Sequence, residues 1–442
     1  MSTHDSSHPA GPLASAPERP PAPDDRSAGR EDVPRRVWTS AGWLVGGRLV
    51  GSACTFLILL VLAGHLEDAA FGRLTFWLAA FLVLDGIVDF GAGQVALQRA
   101  ARDPGAAGAV LRTARRARLM TGGLVVSAVV AIALALERDD GPYLAVAALY
   151  QLSHVLELST LGWRDRIAWR SPVLVRAGAA LASLAFVLAL RATGEARPMP
   201  YLLAIAVGST LGNAALHGFG RRGLPSTRGV AAAPIAPFLA ASIPMGAAAV
   251  CQQLYFHVDN VFVRVLAGDD VVGRYNVAVR VMSLAIMGGV LAASAALPWL
   301  ARAHARGALR SAALRLTAAS TLLGAAGVAV LFPFRATILG LFGEEFRVAA
   351  PTLAWLLVAA FAVHVGAPLL TSVVAAGRSR TVLVLAAAGL VVNVVGNAWL
   401  VPQMGMDGAA IATLGTEAFI AAGAAWAVVR IDRRDASSWR EM

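Results

Sequence analysis

The chain has 442 residues, of which 57% are hydrophobic, and its formal net charge is +11. Long apolar runs recur from residue 41 to residue 429, far more than the core of a soluble domain requires, so the composition excludes an ordinary soluble protein. All 38 basic residues are arginine. Their distribution among the loops indicates membrane orientation, not a nucleic-acid partner, as the reason for the charge.

Residues 1–37 contain seven prolines and mixed charges without apolar periodicity, which predicts a disordered cytoplasmic tail. Twelve apolar runs follow, and a run of about 20 residues crosses the ~30 Å hydrocarbon layer as a helix. The sequence therefore predicts an all-α polytopic membrane protein of about twelve transmembrane helices. We place spans 1 to 12 at residues 41–63, 74–97, 119–136, 143–163, 173–190, 201–217, 236–262, 275–298, 312–333, 350–373, 381–401 and 408–429.

Arginine alternates between the loops that join these spans. With the N-terminus in the cytoplasm, the cytoplasmic segments and their span edges carry 28 arginines and the outer loops carry 8, which leaves Arg48 and Arg280 inside spans. Cytoplasmic loops of membrane proteins carry the excess of basic residues, so both termini are predicted to be cytoplasmic. The composition, rich in arginine and alanine and free of lysine, is typical of a bacterium with a high-GC genome, and we place the chain in the bacterial cytoplasmic membrane.

The two halves of the sequence repeat one pattern. Val-Leu-Ala-Gly occupies residues 61–64 and 265–268, and each copy is followed by a short acidic loop and then by Gly-Arg. Order and spacing both agree, which predicts two parallel repeats with a substrate site between them. The predicted organisation is an N-lobe at 38–218 with spans 1 to 6, a cytoplasmic linker at 219–232, a C-lobe at 233–430 with spans 7 to 12, and a cytoplasmic tail at 431–442.

The predicted outer loops are short and leave no extramembranous domain for a separate active site. The sequence also has no Gly-rich phosphate loop and no zinc-ligand spacing. We therefore expect no catalytic residue, no metal and no cofactor. Cys54 and Cys251 both fall inside spans, where we expect them to serve packing.

Five acids fall inside the spans, together with Arg48 and Arg280 away from the span edges. A charge near the helix centre costs about 2.5–3.5 kcal/mol and needs a partner or a wet cavity. Arg48 and Asp89 are predicted at similar depth on spans 1 and 2, as are Asp259 and Arg280 on spans 7 and 8. Two interpretations stay open. The arginines form interhelical salt bridges with these acids, or they face a central cavity and bind an anionic head group, because a guanidinium stays charged and binds phosphate bidentately.

Two spans carry a polar face at helical spacing. In span 4, Tyr150, His154 and Glu157 recur at offsets of 0, 4 and 7, and span 7 repeats this spacing at residues 253, 257 and 260. Such faces line a cavity that binds sugar hydroxyls or carries a proton, or they pack against another helix. The candidate cavity residues are Asp85, Asp89, Tyr150, Gln151, His154, Glu157, Gln253, His257, Asp259, Asn260 and Glu417.

Four stretches resemble the polysaccharide-transport branch of the MOP superfamily, the Wzx-like O-antigen and exopolysaccharide flippases. Their order covers most of residues 38–430. The stretches are Phe71-Gly72 with Asp89-Phe90-Gly91-Ala92-Gly93; Asp259 with Val272-Gly273-Arg274-Tyr275, Ala278-Val279-Arg280 and Pro298; Leu341-Phe342-Gly343-Glu344-Glu345-Phe346 with Ala350-Pro351 and Gly377-Arg378; and Asn393 with Leu400-Val401-Pro402, Gly405 and Gly408-Ala409-Ala410-Ile411-Ala412-Thr413.

The resemblance implies two six-helix lobes around a V-shaped cavity that opens alternately to each side and moves a polyprenyl-diphosphate-linked oligosaccharide outward. It also implies basic residues in the cavity, for which Arg48 and Arg280 are the matching candidates. The expected partners are the lipid-linked oligosaccharide and membrane lipid, with H+ or Na+ as candidate coupling ions and other polysaccharide-assembly proteins as candidate partners. Two alternatives stay open, namely a multidrug or organic-cation antiporter of the same superfamily and a membrane enzyme of polysaccharide assembly.

Overall fold

The computed structural model describes residues 28–93, 95–96, 99, 106–135, 140–155, 170–220 and 234–431. Within these ranges the regular structure is entirely helical. The helices are α1 (Ala28–Ala63), α2 (Asp68–Asp89), α3 (Ala107–Ala135), α4 (Gly141–Val155), α5 (Arg170–Ala192), α6 (Pro198–Gly220), α7 (Ile235–Ala267), α8 (Asp269–Ala295), α9 (Leu297–Ala305), α10 (Leu309–Leu331), α11 (Arg335–Gly340), a 3₁₀ helix (Glu344–Ala349), α12 (Ala350–Ala375), α13 (Ser379–Met404) and α14 (Met406–Arg430).

Eleven helices in the described part of the chain are long and apolar enough to cross a membrane. They coincide with the predicted spans 1 to 3 and 5 to 12. Predicted span 4 begins on α4, whose described part ends at Val155, and its second half lies outside the described residues. The prediction of a polytopic, all-helical membrane protein is confirmed.

Four helices begin well before the predicted spans, namely α1, α2, α3 and α8. Helix α1 begins at Ala28, so residues 28–37 of the predicted tail are helical. Helix α2 begins at Asp68 and α8 at Asp269. Each of these two begins with an acid, which is favourable at the positive N-terminal end of a helix. Residues 1–27 and 432–442, and most of the predicted linker, lie outside the described residues.

The helices form two bundles in chain order. In the N-lobe, α1 packs on α5, α5 on α6, α6 on α4, and α4 on α2 and α3. In the C-lobe, α7 packs on α13, α13 on α14, α14 on α12, and α12 on α8 and α10. The lobes meet where α2 packs against both α7 and α8, so these three helices form the interface between the lobes, where a substrate site is expected.

We call the membrane face at which α1 ends and α2 begins the outer face, because the arginine distribution assigns it to the outside. Aromatic side chains join the lobes there. The Phe71 ring meets Phe346 with ring centroids 5.6 Å apart, and the Phe56 ring meets Phe342 at 5.0 Å. The lobes are therefore packed together at the outer face.

Candidate functional site

Three arginines and two aspartates form a charged group inside the N-lobe, which we call the N-lobe cluster: Arg48, Asp85, Asp89, Arg118 and Arg176. Arg118 Nη1 lies 3.5 Å from Asp89 Oδ1. Arg176 interacts electrostatically with Asp85, Arg48 and Arg118. With three positive and two negative members, the cluster has one positive charge in excess.

The three arginines lie at a common depth. Arg48 is fifteen residues before the outer end of α1, Arg176 sixteen before that of α5 and Arg118 seventeen before that of α3. At ~1.5 Å per residue, these separations correspond to about 22, 24 and 26 Å. In a hydrocarbon layer of ~30 Å the arginines therefore lie in the cytoplasmic half.

Two arginines of the N-lobe cluster have accessible side chains. Arg48 and Arg176 are both exposed, although protein atoms surround Arg176 closely enough to remove much of its bulk solvent. An arginine in contact with hydrocarbon is costly. We therefore interpret both guanidinium groups as facing a water-filled interior and not the lipid.

Close helix packing positions the cluster. A Cβ at Gly47 would lie 2.4 Å from Val173 Cγ1. Helices α1 and α5 are therefore in close contact one residue before Arg48 and three residues before Arg176. On the other side, the Tyr150 ring stacks on Phe81 with centroids 4.7 Å apart. This contact fixes α4 against α2 beside Asp85, with which Tyr150 interacts electrostatically.

The salt-bridge interpretation is wrong for Arg48 and Asp89, since the described ion pair of Asp89 is with Arg118. Helix α2 ends at Asp89 because Phe90 and Gly91 adopt positive φ angles of 37° and 70°. The end of α2 contacts α3, where Thr121 Oγ1 donates a hydrogen bond to Val88 O at 3.0 Å. Asp89 therefore lies at a helix end within reach of α3, not inside a longer span beside α1.

Arg280 lies near the middle of the membrane. Because α8 begins at Asp269, Arg280 is eleven residues from the outer end, or about 16 Å. The predicted span 8, which begins at residue 275, places Arg280 only five residues from the outer end, or about 8 Å. That depth is wrong because the hydropathy treats the acidic start of α8 as a loop. Arg280 is half-buried, and its buried Nε has no hydrogen-bond partner among the described residues.

The salt-bridge interpretation is also wrong for Asp259 and Arg280 in the described structure. Asp259 is 2% exposed and accepts a short hydrogen bond from the Tyr275 hydroxyl. Its other oxygen accepts hydrogen bonds from the backbone N–H of Asn260 at 2.8 Å and from Asn260 Nδ2 at 3.1 Å. The acid is thus satisfied by neutral donors within the C-lobe, and Arg280 does not supply its partner.

Further polar side chains are buried in the C-lobe interior. Glu417 on α14 is 5% exposed, and its Oε1 has no hydrogen-bond partner among the described residues. On α13, Asn397 Nδ2 donates to the backbone and side-chain oxygens of Asn393 at 2.9 and 3.0 Å. The Oδ1 atoms of Asn260 and Asn397 also lack described partners. The C-lobe interior therefore offers several unused oxygen acceptors.

The two predicted polar faces differ in role. Gln151 is buried and donates from Nε2 to Phe81 O at 3.0 Å, so it packs α4 against α2. Gln253 donates to Leu82 O at 2.9 Å and joins the lobes. His257 is half-buried, and its Nδ1 has no described partner. The His154 side chain and the whole of Glu157 lie outside the described residues.

Sequence analysis missed Arg118 and Arg176. Each lies within a few residues of the cytoplasmic end of its predicted span, and both were counted as loop arginines for that reason. One available signal was the run of small residues at helical spacing around Arg118, where Ala114 and Ala117 are fully buried. That spacing extends α3 twelve residues before the predicted start and takes Arg118 into the bundle.

These features define a polytopic membrane transporter of two helical lobes with a charged interior. The chain belongs to the family described as polysaccharide biosynthesis protein, whose model matches residues 37–304, and thereby to the MOP superfamily. A second model, described as MatE, matches residues 244–399. No curated protein sequence matches the chain.

Solved structures share the fold. The lipid II flippase MurJ in an inward closed conformation matches with a TM-score of 0.71 and 11% identity over 90% of this chain and 89% of that one. An inward-facing multidrug resistance MATE family transporter of the MOP superfamily matches with a TM-score of 0.67 and 14% identity, over 89% of this chain and 96% of that one. A MOP superfamily transporter from Pyrococcus furiosus, whose binding pocket is described as having reverse polarity, matches with a TM-score of 0.68 and 16% identity. The match covers 91% of this chain and 96% of that one.

Proposed function

We propose that this protein is a flippase that moves a polyprenyl-diphosphate-linked oligosaccharide across the bacterial cytoplasmic membrane for surface polysaccharide synthesis, by alternating access of its two lobes. One observation carries the proposal. The N-lobe cluster has an excess positive charge, and Arg280 adds a further cation near the bilayer centre with its Nε unused among the described residues. A diphosphate needs several charge-assisted hydrogen bonds, and guanidinium groups supply them.

The charge balance argues against an organic-cation antiporter. Such a cavity needs unneutralised acids, yet Asp89 has an arginine at 3.5 Å and Asp85 lies within the electrostatic range of Arg176. Glu417 is buried in the C-lobe. The family description, polysaccharide biosynthesis protein, agrees with an anionic glycolipid substrate, as does the lipid II flippase among the similar structures.

Deletion of the gene tests this function. We expect loss of a surface polysaccharide and accumulation of its lipid-linked unit in the inner leaflet, with both effects reversed by the wild-type gene. An antiporter predicts a different result, namely unchanged polysaccharide and increased sensitivity to cationic drugs.

For the coupling ion, we propose H+ or Na+ bound among the buried oxygens of the C-lobe, with Asp259 and Glu417 as the acidic groups. Carboxylate and amide oxygens suit a hard cation, and a buried carboxylate can also carry a proton. In reconstituted vesicles, transport should respond to a gradient of only one of these ions. Glu417→Gln should abolish that response while transport down a substrate gradient continues.

A further inference from the structure

The outer face holds two ion pairs that cross from one lobe to the other. Arg73 Nε on α2 lies 3.3 Å from Asp269 Oδ2 on α8. Arg274 Nη2 on α8 lies 2.6 Å from Asp68 Oδ2 on α2. The same two helices therefore exchange an arginine and an aspartate in both directions. We call these four residues the outer clasp.

The internal repeat makes the outer clasp reciprocal. Asp68 and Asp269 are 201 residues apart (269 − 68), as are Arg73 and Arg274 (274 − 73). Arg73 therefore pairs with Asp269, which is the equivalent of Asp68 in the second repeat. Arg274 pairs with Asp68, which is the equivalent of Asp269 in the first repeat. Such an arrangement results when equivalent segments meet across the pseudo-two-fold axis of parallel repeats.

Contacts at the axis support this interpretation. Gly72 and Gly273 are also 201 residues apart (273 − 72) and touch, since a Cβ on Gly273 would lie 3.0 Å from Gly72 Cα. A Cβ on Gly72 would lie 1.6 Å from the backbone oxygen of Asp269. Asn276 Nδ2 donates to Thr75 Oγ1 at 3.3 Å, again across equivalent positions.

A fifth residue braces the outer clasp. Arg264 at the end of α7 binds Asp269 Oδ1 at 2.7 Å and, in the N-lobe, Asp140 Oδ1 at 3.0 Å. Its guanidinium also lies 4.4 Å from the centroid of the Phe76 ring. Asp269 therefore binds two arginines and is only 16% exposed at its side chain, so removing its charge leaves two partly buried guanidinium groups without this acid.

We infer that the outer clasp is a gate that closes the interior to the outside and whose two ion pairs break together when the lobes separate. Helix α8 runs without interruption from Asp269 and Arg274 to Arg280, and α2 runs likewise from Asp68 to Asp85. Opening the outer clasp thus moves Arg280 relative to the N-lobe cluster. The gate is a property of the fold and does not depend on which substrate is carried.

A cysteine reporter beneath the outer clasp tests the gate. The reporter is Ser283→Cys, at a position three residues after Arg280 on the same side of α8. It is introduced into a protein in which Cys54 and Cys251 are replaced by alanine. The intact protein, in membrane vesicles without substrate, is treated from the outer face with a membrane-impermeant maleimide. We expect Asp269→Asn to raise the labelling rate about fivefold, equivalent to ~1 kcal/mol in the gate equilibrium.

Gly72→Ala should also raise labelling, because the new Cβ has no space while the lobes touch. Two matched controls should label as the parent does. Gly64→Ala adds a Cβ with nothing within 4 Å, and Arg347→Ala removes an exposed ion pair with Glu344 outside the outer clasp.

A bridge across the outer clasp provides the opposite test and detects misfolding. The bridge joins Asp68→Cys to Arg274→Cys, either as a disulfide or through a short bifunctional reagent. Bridging should block labelling at position 283. Labelling should return when the disulfide is reduced or when the reagent is left out. The gate assignment is overturned if the bridged protein labels at the unbridged rate. It is also overturned if Asp269→Asn, present in the membrane at the parental level, leaves labelling unchanged. No substrate is present in these measurements, so they are independent of the proposed flippase activity.

Discussion

Arg280→Ala is the substitution that most directly tests head-group binding. Its guanidinium lies about 16 Å from the outer end of α8, and its Nε has no hydrogen-bond partner among the described residues. The folded protein therefore loses little when the side chain is removed. A diphosphate in the same place loses a charged donor, and hydrogen bonds to charged groups contribute about 1.5–3 kcal/mol each.

That loss converts to a reduction of about 10-fold to 150-fold in head-group affinity. Arg280→Lys keeps the charge and loses the planar fork, so it should retain part of the activity. The measurement is the initial rate at which reconstituted vesicles transfer a fluorescent polyprenyl-diphosphate sugar, taken over a range of substrate concentrations. Thermal unfolding of the same preparations measures stability, and Arg302→Ala, at an exposed arginine on α9, is the matched control.

Two outcomes would refute the reasoning. If Arg280→Ala transports at the wild-type rate at low substrate concentration, the guanidinium does not contact the head group. If it loses transport and thermal stability together, Arg280 is a structural residue. The exchange of Asp259→Arg with Arg280→Asp adds a further check. It should not restore transport, because the described partners of Asp259 are Tyr275 and Asn260.

Three other predictions concern stability and orientation. Arg118→Ala should lower the midpoint of thermal unfolding because it leaves Asp89 without its described arginine. Arg116→Ala, at an exposed position, should not lower it, and equal midpoints for the two variants would contradict the N-lobe cluster. Gly408→Ala places a Cβ 2.3 Å from Leu400 O and should reduce the folded protein in the membrane, whereas Gly415→Ala meets nothing within 4 Å. A cysteine at position 344 should react with an impermeant reagent from outside and one at 116 should not, and the reverse pattern would invert the topology.

The sequence predicts the fold well because apolar length and arginine alternation are properties of individual segments. The partners of the charged residues follow from helix neighbours and helix ends, which hydropathy does not define. Hydropathy assigns Arg118 to a loop because α3 extends into polar sequence, and it does not show that α2 ends at Asp89, where Phe90 and Gly91 adopt positive φ angles. It also places Arg280 too close to the outer face because two acids begin α8.

The stagger of the arginines has a consequence for the energetics of translocation. Arg118, Arg176, Arg48 and Arg280 lie at about 26, 24, 22 and 16 Å from the outer ends of their helices. An anionic head group of the proposed substrate, held at the depth of the first three arginines, would move about 6–10 Å along the membrane normal to reach the depth of Arg280. Over that interval guanidinium groups at both ends reduce the cost of desolvating the anion.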